Sequence, residues 1–226
     1  MAKQPRTSTT GTGWDDHVLA GLITAERLGS HLAVTRSESE AMRLYEWNAR
    51  AAAATIQTVG MVEVLVRNAI DRTLVSWAAR RTPGATWFDV APLDTRGLAD
   101  IAGARQRATR NGRLPETHGK VIAELSFGFW RYLTASRYLA ALWVPALHRA
   151  FPAGPDDLRA RRKAVETHLA TLGFVRNRAA HHEPIHQRDL ASDLHAAIEL
   201  STRISPDAGT WITARSTLPQ NITERP

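Results

Sequence analysis

Eleven consecutive residues carry the densest chemistry in the chain: Val175-Arg176-Asn177-Arg178-Ala179-Ala180-His181-His182-Glu183-Pro184-Ile185. Arginine offers a permanent cation and a planar fork of donors that suits phosphate. Asparagine both donates and accepts through one amide, so Asn177 can fix a phosphate or a histidine ring. Histidine titrates near neutrality and can take a proton or deliver one. Together these groups suit cleavage of an RNA phosphodiester. A histidine takes the proton of the ribose 2′-hydroxyl, or delivers one to the leaving 5′-oxygen, and an arginine holds the scissile phosphate and its extra transition-state charge. The 2′-hydroxyl is then the internal nucleophile, so neither metal nor cofactor is needed. The products carry a 2′,3′-cyclic phosphate and a 5′-hydroxyl.

Helix geometry constrains this reading. At about 100° per residue, Asn177 and His181 share one face, as do Arg178 and His182, whereas Arg176 lies about 140° from His181. One regular helix does not bring Arg176 and His181 together. Either the helix frays before Pro184, or a second chain completes the site across a two-fold interface. The doubled histidine leaves open whether His181 or His182 acts. A second motif, Met61-Val62-Glu63-Val64-Leu65-Val66-Arg67-Asn68-Ala69-Ile70, places Glu63 and Arg67 as i,i+4 partners on an otherwise apolar helix. Charges in an apolar surround are paired or used. They form an intrahelical salt bridge at a helix seam, or Glu63 or Asn68 holds Arg176 or a histidine in place.

The elements that must position these groups read as helical almost throughout. Leu19, Leu22, Ile23 and Leu28 give a first helix from about Trp14 to His31. Ser37 with Glu40 is a capping box. It opens a pattern that continues to about Arg81, as one long helix or two with a break near Gly60. Thr82 to Leu93 is a loop in which Trp87 and Phe88 pack. Residues 94–110 form a polar, basic helix, and Asn111-Gly112 is a turn. A short helix covers Thr117 to Leu125, and another covers about Ala135 to Ala150, kinked or shortened by Pro145. Pro155, Asp156 and Asp157 start a helix that stops by His182 or Glu183, because Pro184 disfavours helical geometry at the residue before it. Asp189 to Arg203 is the last helix. Residues 1–13 read as a disordered N-terminus, 14–204 as a single helical domain and 205–226 as a flexible C-terminal tail.

Composition narrows the function classes. The chain has 226 residues and a net charge of +7, with an arginine-weighted excess that favours polyanions such as RNA or DNA. It has no cysteine, which excludes disulfides, thiolate metal sites and cysteine nucleophiles and fits a cytoplasmic setting. No signal peptide and no stretch apolar enough to span a bilayer is expected, so no membrane partner is either. His181, His182 and His186 do not make a metal site, since Pro184 breaks the helix between the i,i+4 pair. Trp47, Trp77, Trp87, Trp130 and Trp143 read as core. Arg105, Arg107, Arg110 and Arg113 make a solvated basic face that could also track an RNA backbone. Gly-rich phosphate loops, serine triads and zinc-deaminase signatures are absent.

Three signatures carry a family resemblance: Glu63-x-x-x-Arg67-Asn68, Leu125-Ser126-Phe127-Gly128-Phe129-Trp130, and Arg176-Asn177-x-x-x-His181 running on into His182-Glu183-Pro184-Ile185. With Leu44-Tyr45-Glu46-Trp47-Asn48, they span about residues 40–200. The sequence resembles the Abi-like (abortive infection, AbiD/AbiF-type) proteins of bacteria, a branch of the HEPN superfamily. The resemblance implies an all-α, HEPN-like helical bundle with extra helices that commonly dimerises. It implies metal-independent endoribonuclease activity where the arginine–histidine motif is intact, and a toxin-like role in phage defence through cleavage of cellular RNA. Arg176 and His181 match the catalytic positions and Asn177 the polar one. His182, Arg178, Glu63, Arg67 and Asn68 are the supporting or RNA-binding residues. The partners so implied are RNA (tRNA, mRNA or rRNA), a second copy of the chain and an antitoxin. The alternative is a HEPN module that binds RNA or protein without cutting.

Overall fold

The computed structural model describes residues 13–226. Eleven α-helices and no strand occur among them, so the protein is all-α, as the periodicity predicts. The expected N-terminal lead-in, residues 1–13, lies outside the described residues except for Gly13.

The organising element is α3, Glu38–Arg81, one unbroken helix of 44 residues and therefore about 66 Å long. Its Ser37 cap accepts from the Glu40 N–H at 3.2 Å, and the Glu40 carboxylate accepts from the Arg36 N–H at 2.9 Å, near the box read from the sequence. Before it stand two short helices, α1 (Asp16–Ile23) and α2 (Ala25–Leu32), in place of the single helix expected. The break is Thr24, whose φ of 80° lies in the left-handed region. After α3 come α4 (Trp87–Val90), α5 (Thr95–Ala108), α6 (His118–Glu124) and α7 (Phe127–Leu133). The helix expected over 135–150 is instead a 3₁₀ turn at Ser136–Tyr138, a π turn at Leu139–Trp143 and a second 3₁₀ turn at Leu147–Ala150. Pro145 cannot donate to the ladder, so a regular helix does not run through it. Next is α8, Leu158–Ala180, capped by Asp157, and then α9, Leu190–Ile204, capped by Asp189.

The C-terminal segment is not a flexible tail. It forms α10 (Pro206–Arg215) and α11 (Leu218–Thr223), whose Ile212 and Leu218 are buried in the common core. Its prolines punctuate without excluding helix, because Pro206 and Pro219 sit in first turns, where the missing N–H costs nothing. The Trp47 indole N–H donates to the Asn221 carbonyl at 2.6 Å, and Thr58 Oγ1 meets Ser216 Oγ at 2.7 Å. The domain therefore extends past 204.

α8 and α9 pack along α3, and one apolar core runs from Leu44 to Leu218. Trp47, Trp77, Trp87, Trp130 and Trp143 are all buried, as expected of core residues. A satellite cluster of Ala20, Leu28 and Met42 seats α1 and α2 on the start of α3. By length and composition alone α3 includes a window apolar enough to cross a membrane, contrary to the expectation from the sequence. Much of its side-chain surface is covered by other helices, as for the central helix of a bundle.

Gly209 fixes how closely α10 approaches α9. A Cβ there would lie 2.0 Å from Thr202 Oγ1 and 3.3 Å from Thr202 Cα, so the helices must part to admit it. Gly209→Ala should destabilise the protein by about 1–3 kcal/mol, read by thermal or urea denaturation. An unchanged midpoint would mean that the tail docks loosely.

Candidate functional site

Three helices meet at a cleft of ≈ 600 Å³ lined by Glu63 of α3, Ser126, Phe127, Gly128 and Arg131 at α7, and Ala170, Gly173, Phe174, Arg176 and Asn177 of α8. On α8, positions 170, 173, 174 and 177 follow the i, i+3, i+4, i+7 spacing of one helix face. Alanine and glycine form its floor, and Gly173 lets α8 lie against the Phe127 ring, 3.6 Å from its ideal Cβ. All three signature segments contribute to this one cleft.

Within it, Arg176 Nη1 donates to Asn177 Oδ1 at 3.3 Å. Burial pushes the Glu63 carboxyl up, and the Arg176 and then the Arg67 guanidinium pull it partly back. Arg67 turns its Nε towards Asn68 Oδ1 at 3.4 Å. The Glu63 carboxyl thus feels both motif arginines without a direct hydrogen bond or ion pair to either. Across the cleft, Arg131 pairs with Glu166 at 3.3 Å.

The histidines lie elsewhere. α8 ends at Ala180, but the His181 N–H still reaches the Asn177 carbonyl at 3.0 Å, so the hydrogen-bond ladder extends to position 181. The helix does not fray early enough to swing His181 towards Arg176. His181 is exposed and lines none of the clefts described here. His182 follows with φ 56°, and its N–H bonds to the Ala179 carbonyl at 3.1 Å while the Glu183 N–H bonds to that of Arg178 at 2.8 Å. That pair of bonds is a Schellman stop with histidine in the left-handed position usually taken by glycine. The stop is held from outside. Arg27 Nη2 donates to the His182 carbonyl at 2.5 Å, and the Ile185 N–H donates to Asn48 Oδ1 at 2.8 Å. His182 lines a separate ≈ 490 Å³ groove with Arg27, Tyr45, Asn48 and Ile56. Arg178 points away from Arg176. It donates to the Pro184 carbonyl at 2.9 Å and pairs with Glu183 at 3.2 Å, so its charge braces the turn.

The structure therefore brings together Glu63, Arg176 and Asn177, with Arg67 and Asn68 beside them, and leaves His181, His182 and Arg178 outside. Sequence reasoning missed Phe174, Arg131 and the small-residue floor, although the 170/173/174/177 spacing was available to find them. It also missed Asp71, which accepts from the Trp87 indole at 2.7 Å and pairs with His118 at 2.8 Å, tying α4 and α6 to α3. A buried pair, His31 and His186, lies 4.5 Å apart between rings, and burial lowers His31 to about 4. The basic helix is partly neutralised: Arg105 pairs with Asp89 and Glu116, and Arg107 with Glu124.

Comparison with protein-family models, with curated proteins and with solved structures returns no match to this chain. Fold and site define an all-α protein with an arginine-bearing cleft at a three-helix junction.

Left-handed geometry costs a residue with a Cβ about 1–2 kcal/mol. His182→Gly should therefore raise stability by about 1 kcal/mol, measured by denaturant titration. A loss instead would show that the imidazole makes contacts worth more than the strain. Glu63 opposes any anion at Arg176 while it is ionised. As pH falls through its raised pKa the carboxyl is neutralised and the opposition lapses. Glu63→Gln should thus tighten binding of a short oligonucleotide about threefold to tenfold near pH 7 and flatten the acid side of the binding profile. Fluorescence titration across pH checks this, and an unchanged affinity would place the anion elsewhere.

Proposed function

We propose that this chain is a metal-independent endoribonuclease of the Abi-like, HEPN type, a cytoplasmic toxin-like protein that cleaves cellular RNA in phage defence. The observation that carries the reading is the convergence of Glu63, Arg176 and Asn177 on one cleft, because these residues come from the first and third signatures. The second signature supplies the opposite wall through Ser126, Phe127 and Gly128.

In this mechanism Arg176 holds the scissile phosphate and stabilises the charge that develops on it. Asn177 orients the phosphate through its amide, and Glu63 positions Arg176. The proton moves through a histidine: His181 takes it from the 2′-hydroxyl or returns one to the 5′-oxygen. Because His181 is exposed and lines no part of the Arg176 cleft, it reaches the phosphate as a residue of a second copy, and the working form is a homodimer with composite sites. An antitoxin would act by covering the cleft or by parting the two copies.

The separation of Arg176 from His181 also favours a second reading, a module that binds RNA or protein without cutting. One experiment divides them. Purified protein in EDTA should cut total RNA to fragments with 2′,3′-cyclic phosphate ends. Arg176→Ala and His181→Ala should each lower the rate by at least about a hundredfold, and mixing the two variants should restore part of it through hybrid dimers. His182→Ala tested alongside identifies which imidazole acts. Full activity in Arg176→Ala, or in both histidine variants, would sink the proposal, and binding without new ends would favour the module.

A further inference from the structure

Phe174 stands apart from the other phenylalanines. Phe88, Phe127, Phe129 and Phe151 are at most 5% exposed, whereas Phe174 is 52% exposed on α8. Its ring lines two clefts at once. One is the Arg176 cleft. The other, of ≈ 470 Å³, is bounded by Ser30, Phe174, Arg178, Pro184, Arg188 and Asp189, among others. Two guanidinium groups rest against the ring, Arg188 at 4.9 Å and Arg178 at 5.7 Å from its centroid. Both are anchored. Arg188 makes a two-pronged pair with buried Asp193 at 2.5 and 2.6 Å, and Arg178 is tied to Glu183 and Pro184. Both line the second cleft and neither lines the first. The ring is thus braced by cation–π contact from residues of the second cleft and also borders the first. Exposed apolar side chains occur elsewhere on this surface, but Phe174 alone lines the Arg176 cleft while two anchored cations rest against its ring and fix its orientation.

Resting on the reading of the Arg176 cleft as an RNA site, we propose that Phe174 is the stacking platform for an unpaired nucleobase of single-stranded RNA, next to the phosphate held at Arg176. Phe174 and Asn177 are i,i+3 neighbours, roughly 5–6 Å apart at Cβ, so one nucleotide can touch the ring with its base and the Arg176–Asn177 pair with its phosphate. An aromatic face beside arginines is the combination that single-stranded nucleic acids use, with stacking indifferent to base identity and the cations meeting the backbone. Of the acidic groups nearby, only Glu63 faces the phosphate unpaired, and burial, which pushes its carboxyl up, eases that opposition. Glu183 and Asp193 are paired with the bracing arginines, and Asp189 caps α9 by accepting from the Ser192 N–H at 2.9 Å. Double-stranded RNA does not meet the requirement, because its bases are already stacked.

The test uses the full chain and a 2′-O-methylated single-stranded oligonucleotide carrying 2-aminopurine, which binds but cannot be cut. Wild-type protein should quench the fluorophore on binding. Phe174→Ala should weaken binding about tenfold to a hundredfold and abolish the quench. Phe174→Tyr should retain both. Phe174→Leu, which keeps apolar bulk without a π face, should fail like alanine. Since the ring is exposed, circular dichroism and melting should be unchanged in all three. Equal binding by Phe174→Ala, or by Phe174→Leu and Phe174→Tyr alike, overturns the proposal. So does a fall in oligomeric mass with Phe174→Ala, which would assign the ring to a seam between copies. If wild-type protein binds and stacks this oligonucleotide but leaves unmodified RNA uncut, the ribonuclease reading fails while the platform stands. If wild-type RNA cleavage survives unchanged in Phe174→Ala, the platform fails and the ribonuclease reading stands.

Discussion

An uninterrupted helix of 44 residues sets the frame on which every site residue is placed, and its continuity through Gly60 is a contest of magnitudes. A glycine inside a helix costs about 1 kcal/mol against alanine. The flanking Val59, Val62 and Val66 are each at most 1% exposed. Burial of an aliphatic side chain contributes roughly 1.5–3 kcal/mol, so packing outweighs the local penalty and no break forms. Alanines help in another way. Ala51, Ala52 and Ala54 are buried where large side chains would hold neighbours off, and the start of α3 lies close to its partners there. Because α3 runs unbroken through Gly60, Glu63 is carried to the cleft that Arg176 also lines.

The end of α8 is the second constraint. Pro184 forbids continuation, and the chain answers with a Schellman turn that puts a histidine in left-handed geometry. Arg27, Asn48 and the His31–His186 contact hold the turn from α2, α3 and the segment after it. That much bracing around a strained residue keeps His181 and His182 in one position relative to the core, while their side chains stay exposed. α1 and α2, which look peripheral, therefore matter to the motif through Arg27.

Much of this was legible in the residues because it is local. Capping signals, turn residues and apolar spacing placed α3, α5, α8 and α9 within a few positions. The helix-wheel argument separated Arg176 from His181, and the structure keeps them apart. What was not legible depends on contacts distant in sequence. The C-terminal helices read as a loose tail because Pro206, Gly209 and Pro219 look like breakers until Ser216 and Asn221 find partners on α3. The break at Thr24 leaves no glycine or proline to mark it. Arg178 looked like added charge for a substrate, but Pro184 and Glu183, which claim it, become its neighbours only once the turn has formed. The one-helix-face stripe containing Phe174 was visible in spacing, yet an aromatic at helical spacing normally belongs to a core, and only exposure separates the two cases.

The distribution of groups around α8 bears on how a site here could be completed. From Arg176 to His181 the helix rises about 7.5 Å and turns about 140° net, so the two side chains leave α8 in different directions, and His181 lines no part of the Arg176 cleft. That separation is the obstacle to a site within one chain, and the bond that carries the helix ladder to His181 opposes local unwinding. A substrate long enough to wrap around the helix would meet both groups, but at different phosphates, which yields binding without concerted proton transfer. A second copy related by a two-fold axis avoids the obstacle, since each chain then presents its Arg176 side to the other chain's His181 side, and the two contacts are equivalent by symmetry. The anchored cations behind Phe174 fit that arrangement, because a composite cleft must position its substrate from one wall before the other chain's histidine can act on it. In such a site the arginine wall supplies affinity and register, the histidine supplies chemistry, and the two properties would separate cleanly on mutation.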